Sequence, residues 1–168
     1  MRTQVGIVGA GPAGLTLAQL LARAGVESVV LESRSREYVE QRIRAGVLEQ
    51  ATVDLLTDAG VGERMHREGL VHHGIELQFD GERHRIPLSD LAGGRSIVIY
   101  GQTEVVKDLI EARIASGEPF FFEVDDVAVH DLESDRPTIQ FSRNGEAQTL
   151  ECDVIAGMRG IIARHPPV

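Results

Sequence analysis

Gly9-Ala10-Gly11-Pro12-Ala13-Gly14 sets three glycines at the first, third and sixth places of a hexapeptide, and Glu32 follows 18 positions after the last of them. These types at this spacing can hold the diphosphate of a dinucleotide. Gly9 permits a tight turn, Gly11 lacks the Cβ that would keep a pyrophosphate off the backbone, and Gly14 lets a helix lie close to a strand. A helix starting at Pro12 and Ala13 would turn free N–H groups and a partial positive charge toward the phosphates. Glu32 can accept hydrogen bonds from ribose hydroxyls. A glycine hexapeptide alone is a weak signal, because glycines also punctuate ordinary loops, and a carboxylate at a strand end is often only solvated. The surrounding elements therefore decide its meaning.

Thr3 to Val8 reads as a buried strand, with Val5, Ile7 and Val8 β-branched and glycines directly after. Pro12 suits a first helical position. Leu15, Leu17, Ala18, Leu20, Leu21 and Ala22 give a helical apolar stripe that Gly25 stops, and Val26 to Leu31 is a second strand. Ala18 and Gly25 extend the pattern of small residues. Strand, glycine turn, helix and strand within about 30 residues make a βαβ unit, whose crossover is expected to be right-handed. NAD and FAD sites share this fingerprint, so spacing alone leaves the dinucleotide open.

A second group of residues has anion chemistry. The chain has 16 Arg and one Lys, and Arg34, Arg36, Arg42 and Arg44 fall within eleven residues. Guanidinium forks pair with phosphate oxygens, and Arg42 and Arg44 would point the same way if extended. A solvated basic loop is the competing reading. Beyond it, Val47 to Ala59 looks helical, ended by Gly60 and Gly62, and a short helix is placed at Glu63 to Glu68. Ile75 to Phe79 and His84 to Leu88 form a candidate hairpin around Asp80-Gly81. Ser96 to Tyr100 is a strand and Thr103 to Ala115 a helix. Phe120 to Val124, Val127 to Leu132, Thr138 to Ser142 and Gln148 to Ile155 suggest an antiparallel meander.

The 168 residues carry 17 basic and 26 acidic side chains, a net charge of −9, which disfavours nonspecific nucleic-acid binding. Apolar residues at 42% and charged residues at 26% indicate a folded chain of about one domain, with an aliphatic core because aromatics make up 4% and Trp is absent. The single Cys152 excludes an intrachain disulfide and a multi-Cys metal site, and its apolar neighbours suggest a buried, inert thiol. The apolar stretch Val5 to Ala24 is broken by glycines, Pro12, Gln19 and Arg23, so neither a membrane span nor an export signal is expected, and the cytoplasm is the default.

The run Arg42-Ile43-Arg44-Ala45-Gly46-Val47-Leu48-Glu49-Gln50, the segment Gly69-Leu70-Val71-His72 and the segment Tyr100-Gly101-Gln102-Thr103-Glu104-Val105 resemble the 4-hydroxybenzoate 3-monooxygenases, a family of flavoprotein aromatic hydroxylases. The register is near constant from Met1 to about Gly157. The resemblance implies a reaction in which NADPH reduces FAD, and the reduced flavin with O₂ hydroxylates 4-hydroxybenzoate to 3,4-dihydroxybenzoate. It implies that Gly9, Gly11, Pro12, Ala13 and Gly14 hold the FAD pyrophosphate and Glu32 the adenosine ribose. It places Arg44 on the FAD diphosphate, Arg42 on the cofactor and NADPH, and Gln102 on the flavin side. Ser33 to Tyr38 corresponds to the region reading the NADPH 2′-phosphate, with Arg34, Arg36 and Tyr38 suited to it. Ser33 offers no charge there, so NADPH against NADH is open. His72 matches a histidine that exchanges the substrate phenol's proton with solvent. From the residues alone, His72 and His73 read as ordinary surface histidines.

The expected fold is α/β, a Rossmann-like FAD-binding βαβ with a mostly parallel sheet plus a small antiparallel sheet. The chain is expected to be an incomplete FAD-binding domain: residues 1–32 the fingerprint, 33–60 the arginine-rich loop and helix, 61–157 strands, helix and meander, and 158–168 a tail outside the family pattern. Met158-Arg159-Gly160 replaces a family step whose Asp contacts both cofactors, and Ala163-Arg164-His165 only faintly follows the pattern. The later half of the family, with its substrate-gripping residues, is not here, which suggests a truncated or frame-shifted product or a partial gene model that would bind FAD weakly at best and would not hydroxylate alone. A noncatalytic nucleotide-binding fragment or pseudoenzyme is the rival reading. An NAD-dependent dehydrogenase is a third, disfavoured by hairpin signals after residue 60. Oligomeric state is open, a homodimer included.

Overall fold

Side chains alternate across the first strand, and the two layers they meet organise the fold. β1 (Arg2–Val8) directs Ile7 toward Gly14 and turns Gly6 the other way, toward Cys152 and Ile139. α1 (Pro12–Arg23) begins with Pro12 in its first turn and buries Gly14, Leu15 and Ala18. β2 (Ser28–Leu31) is buried along its whole length and lies parallel to β1, Val5 beside Ser28 and Val8 beside Leu31. This is the βαβ unit that the hexapeptide requires. The structure is a computed structural model and describes residues 1–158. Arg159 and Gly160 of the departure from the family pattern, and everything after them, lie outside the described residues.

In chain order there follow α2 (Arg36–Gln41), β3 (Val47–Glu49), α3 (Gln50–Asp58), α4 (Glu63–Glu68), β4 (Leu70–His72), β5 (Ile75–Phe79), β6 (Glu82–Ile86) and α5 (Leu88–Leu91). Then come β7 (Ile97–Ile99), α6 (Gln102–Ala115), β8 (Phe120–Phe121), β9 (Asp125–His130), β10 (Thr138–Arg143) and β11 (Glu146–Gly157). Two units emerge: Met1–Arg42 together with the chain from Leu109 onward, and Ile43–Asp108.

The first unit holds a six-stranded sheet in the order β8-β2-β1-β11-β10-β9. β8, β2, β1 and β11 run parallel to one another, and β10 and β9 are antiparallel additions. Parallel strands and meander thus form one sheet joined at β11, which pairs with β1 on one side and β10 on the other. One face is covered by a cluster of Val8, Val29, Leu31, Val124, Ile139, Phe141, Leu150 and Cys152. A Cβ on Gly6 would fall 2.6 Å from the Cys152 sulfur, so the missing side chain makes room for this packing. Burial pushes the Cys152 thiol up to about 11, which keeps it protonated and unreactive.

The second unit holds a three-stranded antiparallel sheet, β3-β7-β4, and the hairpin β5–β6. Leu48, Val53, Leu56, Met65 and Val98 are among its buried apolar residues. No helix of the described residues is long and apolar enough to cross a membrane.

Several local outcomes differ from the sequence pattern, among them the second hairpin strand, which is Glu82–Ile86 and leaves Leu88 to open α5. Val47–Glu49, taken with the following helix, is a strand because Ile97–Ile99 offers it an antiparallel partner, and the helix starts at Gln50. Phe120 and Phe121, placed in the meander, pair parallel to β2 instead. They follow α6, and a helical crossover is what returns a chain in the parallel direction. The polar stretch after Ser33 contains α2, whose N-cap Ser35 accepts from Tyr38 N–H at 3.2 Å. Ser35 and the helix's own backbone also hold the Glu37 carboxyl below its usual range, the backbone contributing more.

Arg113 fastens the last turns of α6 to the sheet. It is 2% exposed, donates to the carbonyls of Ser28 and Pro119, and pairs with Glu118. Burial lowers its guanidinium to about 10. Removing one partner of such a pair strands the other. Arg113→Met is therefore expected to cost about 3 kcal/mol, read by urea unfolding, with the midpoint falling and the slope unchanged.

Candidate functional site

The turn after β1 is shaped by contacts that only glycine allows. Gly9 has a φ of 114°, a conformation closed to most side chains, and its N–H donates to Leu31 O at 2.8 Å. A Cβ on Gly14 would lie 2.1 Å from Gly9 O, so α1 can approach the loop only because Gly14 has none. Gly11 is different. Its φ of −75° and ψ of 176° suit any residue, and a Cβ there would meet nothing within 4 Å. Neither conformation nor protein packing calls for glycine at this position. The bare Cα instead leaves open space above the head of α1, where the first-turn N–H groups have no intrahelical acceptor. This space and these donors fit a diphosphate.

Glu32 pins the loop from the neighbouring strand. Its carboxylate is 5% exposed and accepts from Ala10 N–H at 2.8 Å, Arg34 N–H at 2.9 Å and the Ser33 hydroxyl at 3.4 Å. The residue expected to face a ribose thus also sets the position of the loop.

Two clefts open at this end of the sheet. One, of about 270 Å³, is lined by Val8, Gly9, Leu31, Ser33, Val124 and the start of β9. It sits at the carboxyl ends of β1 and β2, where ligands bind in open α/β sheets. The other, of about 360 Å³, is lined by Ser33, Arg34, Ser35, Tyr38, Glu123 and Asp125. Here the Arg34 guanidinium lies 5.3 Å from the Tyr38 ring centroid. Glu123, Asp125 and Asp126 were not singled out from sequence. They reach the clefts because the segment after β8 bonds to the chain just beyond β2, with Val124 N–H to Glu32 O at 3.1 Å and Glu123 N–H to Arg34 O at 3.2 Å. No local pattern signals such a path. Arg36 on α2 pairs with Glu40, one turn on. Arg42 caps the end of α2, donating its N–H to Tyr38 O at 3.1 Å.

In the second unit the backbone joins two of the singled-out segments. Tyr100 N–H donates to Gly46 O and Gln102 N–H to Ala45 O, both at 2.9 Å. The residue after Arg44 is thereby bonded directly to Gln102. His72 lies on β4 opposite Ile97, with its side chain exposed. Partly buried polar residues support the Tyr100 corner. The Tyr100 hydroxyl donates to Asp108 at 2.7 Å, and Arg64 donates to Asp108 and Glu104, each at 2.7 Å.

Residues 2–164 match the family described as FAD binding domain. This chain belongs to that family. Over 160 residues, 95% of its length, the FAD binding domain is 49% identical to p-hydroxybenzoate hydroxylase of Acinetobacter baylyi, and it covers 39% of that protein. Its fold matches p-nitrophenol 4-monooxygenase PnpA from Pseudomonas putida, with a TM-score of 0.82 at 24% identity, covering 95% of this chain and 41% of that one. It also matches pqsL of Pseudomonas aeruginosa, described as a probable FAD-dependent monooxygenase, with a TM-score of 0.80 at 26% identity, covering 98% and 44%. The chain spans about two fifths of the length of these relatives.

Glu32→Ala removes the acceptor shared by Ala10 and Arg34. With the buried Ala10 amide and the part-buried Arg34 amide left unmet, the expected loss of stability is about 2 kcal/mol. Urea unfolding measures it, and Glu32→Gln is expected to recover part of it.

Proposed function

We propose that this FAD binding domain is the cofactor-holding portion of a flavin-dependent monooxygenase that converts 4-hydroxybenzoate to 3,4-dihydroxybenzoate with NADPH and O₂. The observation that carries the reading is the open space over Gly11 at the head of α1. The identity to p-hydroxybenzoate hydroxylase supports the substrate and the reaction class. Hydroxylation is proposed for a longer protein containing these residues, and the chain by itself is proposed to hold FAD without turning over. The reaction is proposed to take place in the cytoplasm, where a nicotinamide reductant is regenerated.

Bound FAD would supply the redox chemistry, taking electrons from NADPH and activating O₂. The chain's own residues bind and orient. Gly9, Gly11, Pro12, Ala13 and Gly14 would bring backbone and helix dipole to the diphosphate, and Arg44 with Arg42 would neutralise its charge. Glu32 would accept from a ribose hydroxyl while holding the loop, since a carboxylate has about four acceptor positions. Gln102 would lie on the flavin side. Arg34 and Tyr38, with Arg42 and Arg44, would meet NADPH. Arg34 and Tyr38 already stand together at one cleft, and Glu123 and Asp125 at that cleft oppose a phosphate. His72, exposed on β4, would pass the substrate's phenolic proton between a ring nitrogen and water.

Gly11→Val tests the site. The backbone there accepts a side chain and the space is free, so the melting temperature is expected to stay within a few degrees of the parent. FAD binding, followed by flavin fluorescence, is expected to be lost. Retained affinity would refute the assignment. For the reaction, aerobic NADPH oxidation with and without 4-hydroxybenzoate is to be compared between this chain and a full-length relative. Stimulation by the substrate is expected only in the longer protein.

A further inference from the structure

Tyr100, Asp108, Arg64 and Glu104 form a connected polar chain. The Tyr100 hydroxyl donates to Asp108 Oδ2 at 2.7 Å. Asp108 Oδ1 receives Arg64 Nε at 2.7 Å, and Arg64 continues to Glu104 through Oε2 at 2.7 Å and the backbone carbonyl at 3.1 Å. Lys107 closes the far end on Glu104 Oε1 at 2.8 Å. The Arg64 guanidinium also lies 5.7 Å from the Tyr100 ring centroid. Three elements are tied by these bonds: α4 through Arg64, the residue that follows β7 through Tyr100, and the first turns of α6 through Glu104 and Asp108.

Exposed ion pairs are worth little, but the Tyr100–Asp108 end of this set is shielded. Tyr100 is 5% exposed, and the Asp108 and Arg64 side chains are 11% and 29% exposed. Burial and the Asp108 carboxylate hold the Tyr100 phenol well above its usual range, so it stays a hydrogen-bond donor. Burial alone would lower the Arg64 guanidinium, but Glu104 and Asp108 outweigh it and raise it. Lys107 and Arg64 keep Glu104 below the usual carboxylate range. What such bonds add over apolar packing is direction.

The direction matters because of what Tyr100 holds with its backbone. The N–H groups on either side of Gly101 bond to Gly46 O and Ala45 O. A Cβ on Gly46 would lie 3.6 Å from Gly101 Cα, so the two backbones run close together. Tyr100 is therefore fixed at both ends, by main chain to the segment after Arg44 and by side chain to α6. Of the two residues of this unit proposed to meet FAD, Gln102 makes one of the joining bonds and Arg44 directly precedes the other joined segment.

We infer that the Tyr100–Asp108–Arg64 chain is a positioning device that sets the corner joining Ala45-Gly46 to Gly101-Gln102, and so presents Arg44 and Gln102 together to FAD. The inference rests on the FAD reading proposed above. None of the three is a catalytic residue; each acts through the corner it holds.

Tyr100→Phe keeps the ring and removes one hydroxyl, and Asp108→Asn keeps the shape while weakening both bonds to it. Hydrogen exchange on the whole chain reads the corner directly. Protection of the amides at positions 100 and 102 is expected to fall at least tenfold in both variants, with Ile7 and Val30 in the other unit unchanged. FAD affinity, titrated by flavin fluorescence, is expected to weaken about tenfold, while the melting temperature of Tyr100→Phe moves by only a few degrees. Unchanged protection at positions 100 and 102 would overturn the inference, as would an even loss across the chain or loosened amides with unaltered FAD affinity. A parent chain that binds no FAD would instead refute the proposed function, and the exchange data would still report on the corner.

Discussion

A single carboxylate bonded to a loop amide holds the cofactor end of the sheet in place. Two parallel strands end side by side, and the chain must leave β1, turn, and enter α1 with its first N–H groups pointing outward. Such a turn has few side chains with which to fix itself. Glu32 supplies the fixing from the neighbouring strand by accepting from Ala10 N–H, while Gly9 N–H returns a bond to Leu31 O. Gly14 lets the helix close against Gly9. With loop, strand ends and helix head locked together, the donors that would meet a diphosphate are arranged before any ligand arrives, which reduces the ordering that binding must oppose.

The same arrangement shows how a chain of net charge −9 can present an anion site. Net charge governs solubility and long-range steering, and says little about a local field. At the proposed site the field would come from the N-terminus of α1, whose first turn carries no acidic residue, and from the guanidinium of Arg34 over the Tyr38 ring. Carboxylates stand close by. Glu32 is committed to backbone amides, and Glu123 and Asp125 share a cleft with Arg34. In the second unit, Arg64 is absorbed by Glu104 and Asp108. Among the described residues, Arg64 and Arg113 are drawn into the framework by their carboxylate partners, and composition cannot tell such arginines from those proposed for the site.

The βαβ unit was legible because each of its signals is local: β-branched residues, a glycine turn, an apolar stripe at helical spacing, and a stop. The hairpin around Asp80-Gly81 was legible for the same reason, and both of its turn residues have positive φ. Val47–Glu49 and Phe120–Phe121 were misread because their conformation is decided by distant partners, β7 for the first and β2 for the second. For the candidate site, glycines and Glu32 stood out by spacing, whereas Glu123 and Asp125 arrive on a segment that bonds to the chain just beyond β2. Tyr100 belonged to a visible motif. Its tie to Arg64 on α4 spans some 36 positions and has no periodicity to betray it.

The site's foundation is also the least local part of the fold. β1 has β2 on one side, delivered within the first 31 residues, and β11 on the other, delivered only at Glu146–Gly157. The pairing runs up to the loop itself, with Val8 beside Gly157 and Met158 N–H donating to Val8 O at 2.9 Å. Cys152 and Leu150 from β11 complete the packing beneath Gly6 and Val8. A chain holding only the fingerprint would leave β1 with an open edge and one face uncovered, a condition that parallel strands rarely tolerate. The glycine turn is written in the first residues, but its rigidity depends on a strand made more than a hundred residues later. Closing so long a loop is entropically unfavourable and slow. Recognition of the diphosphate is therefore a property of the assembled sheet, which the hexapeptide alone does not confer.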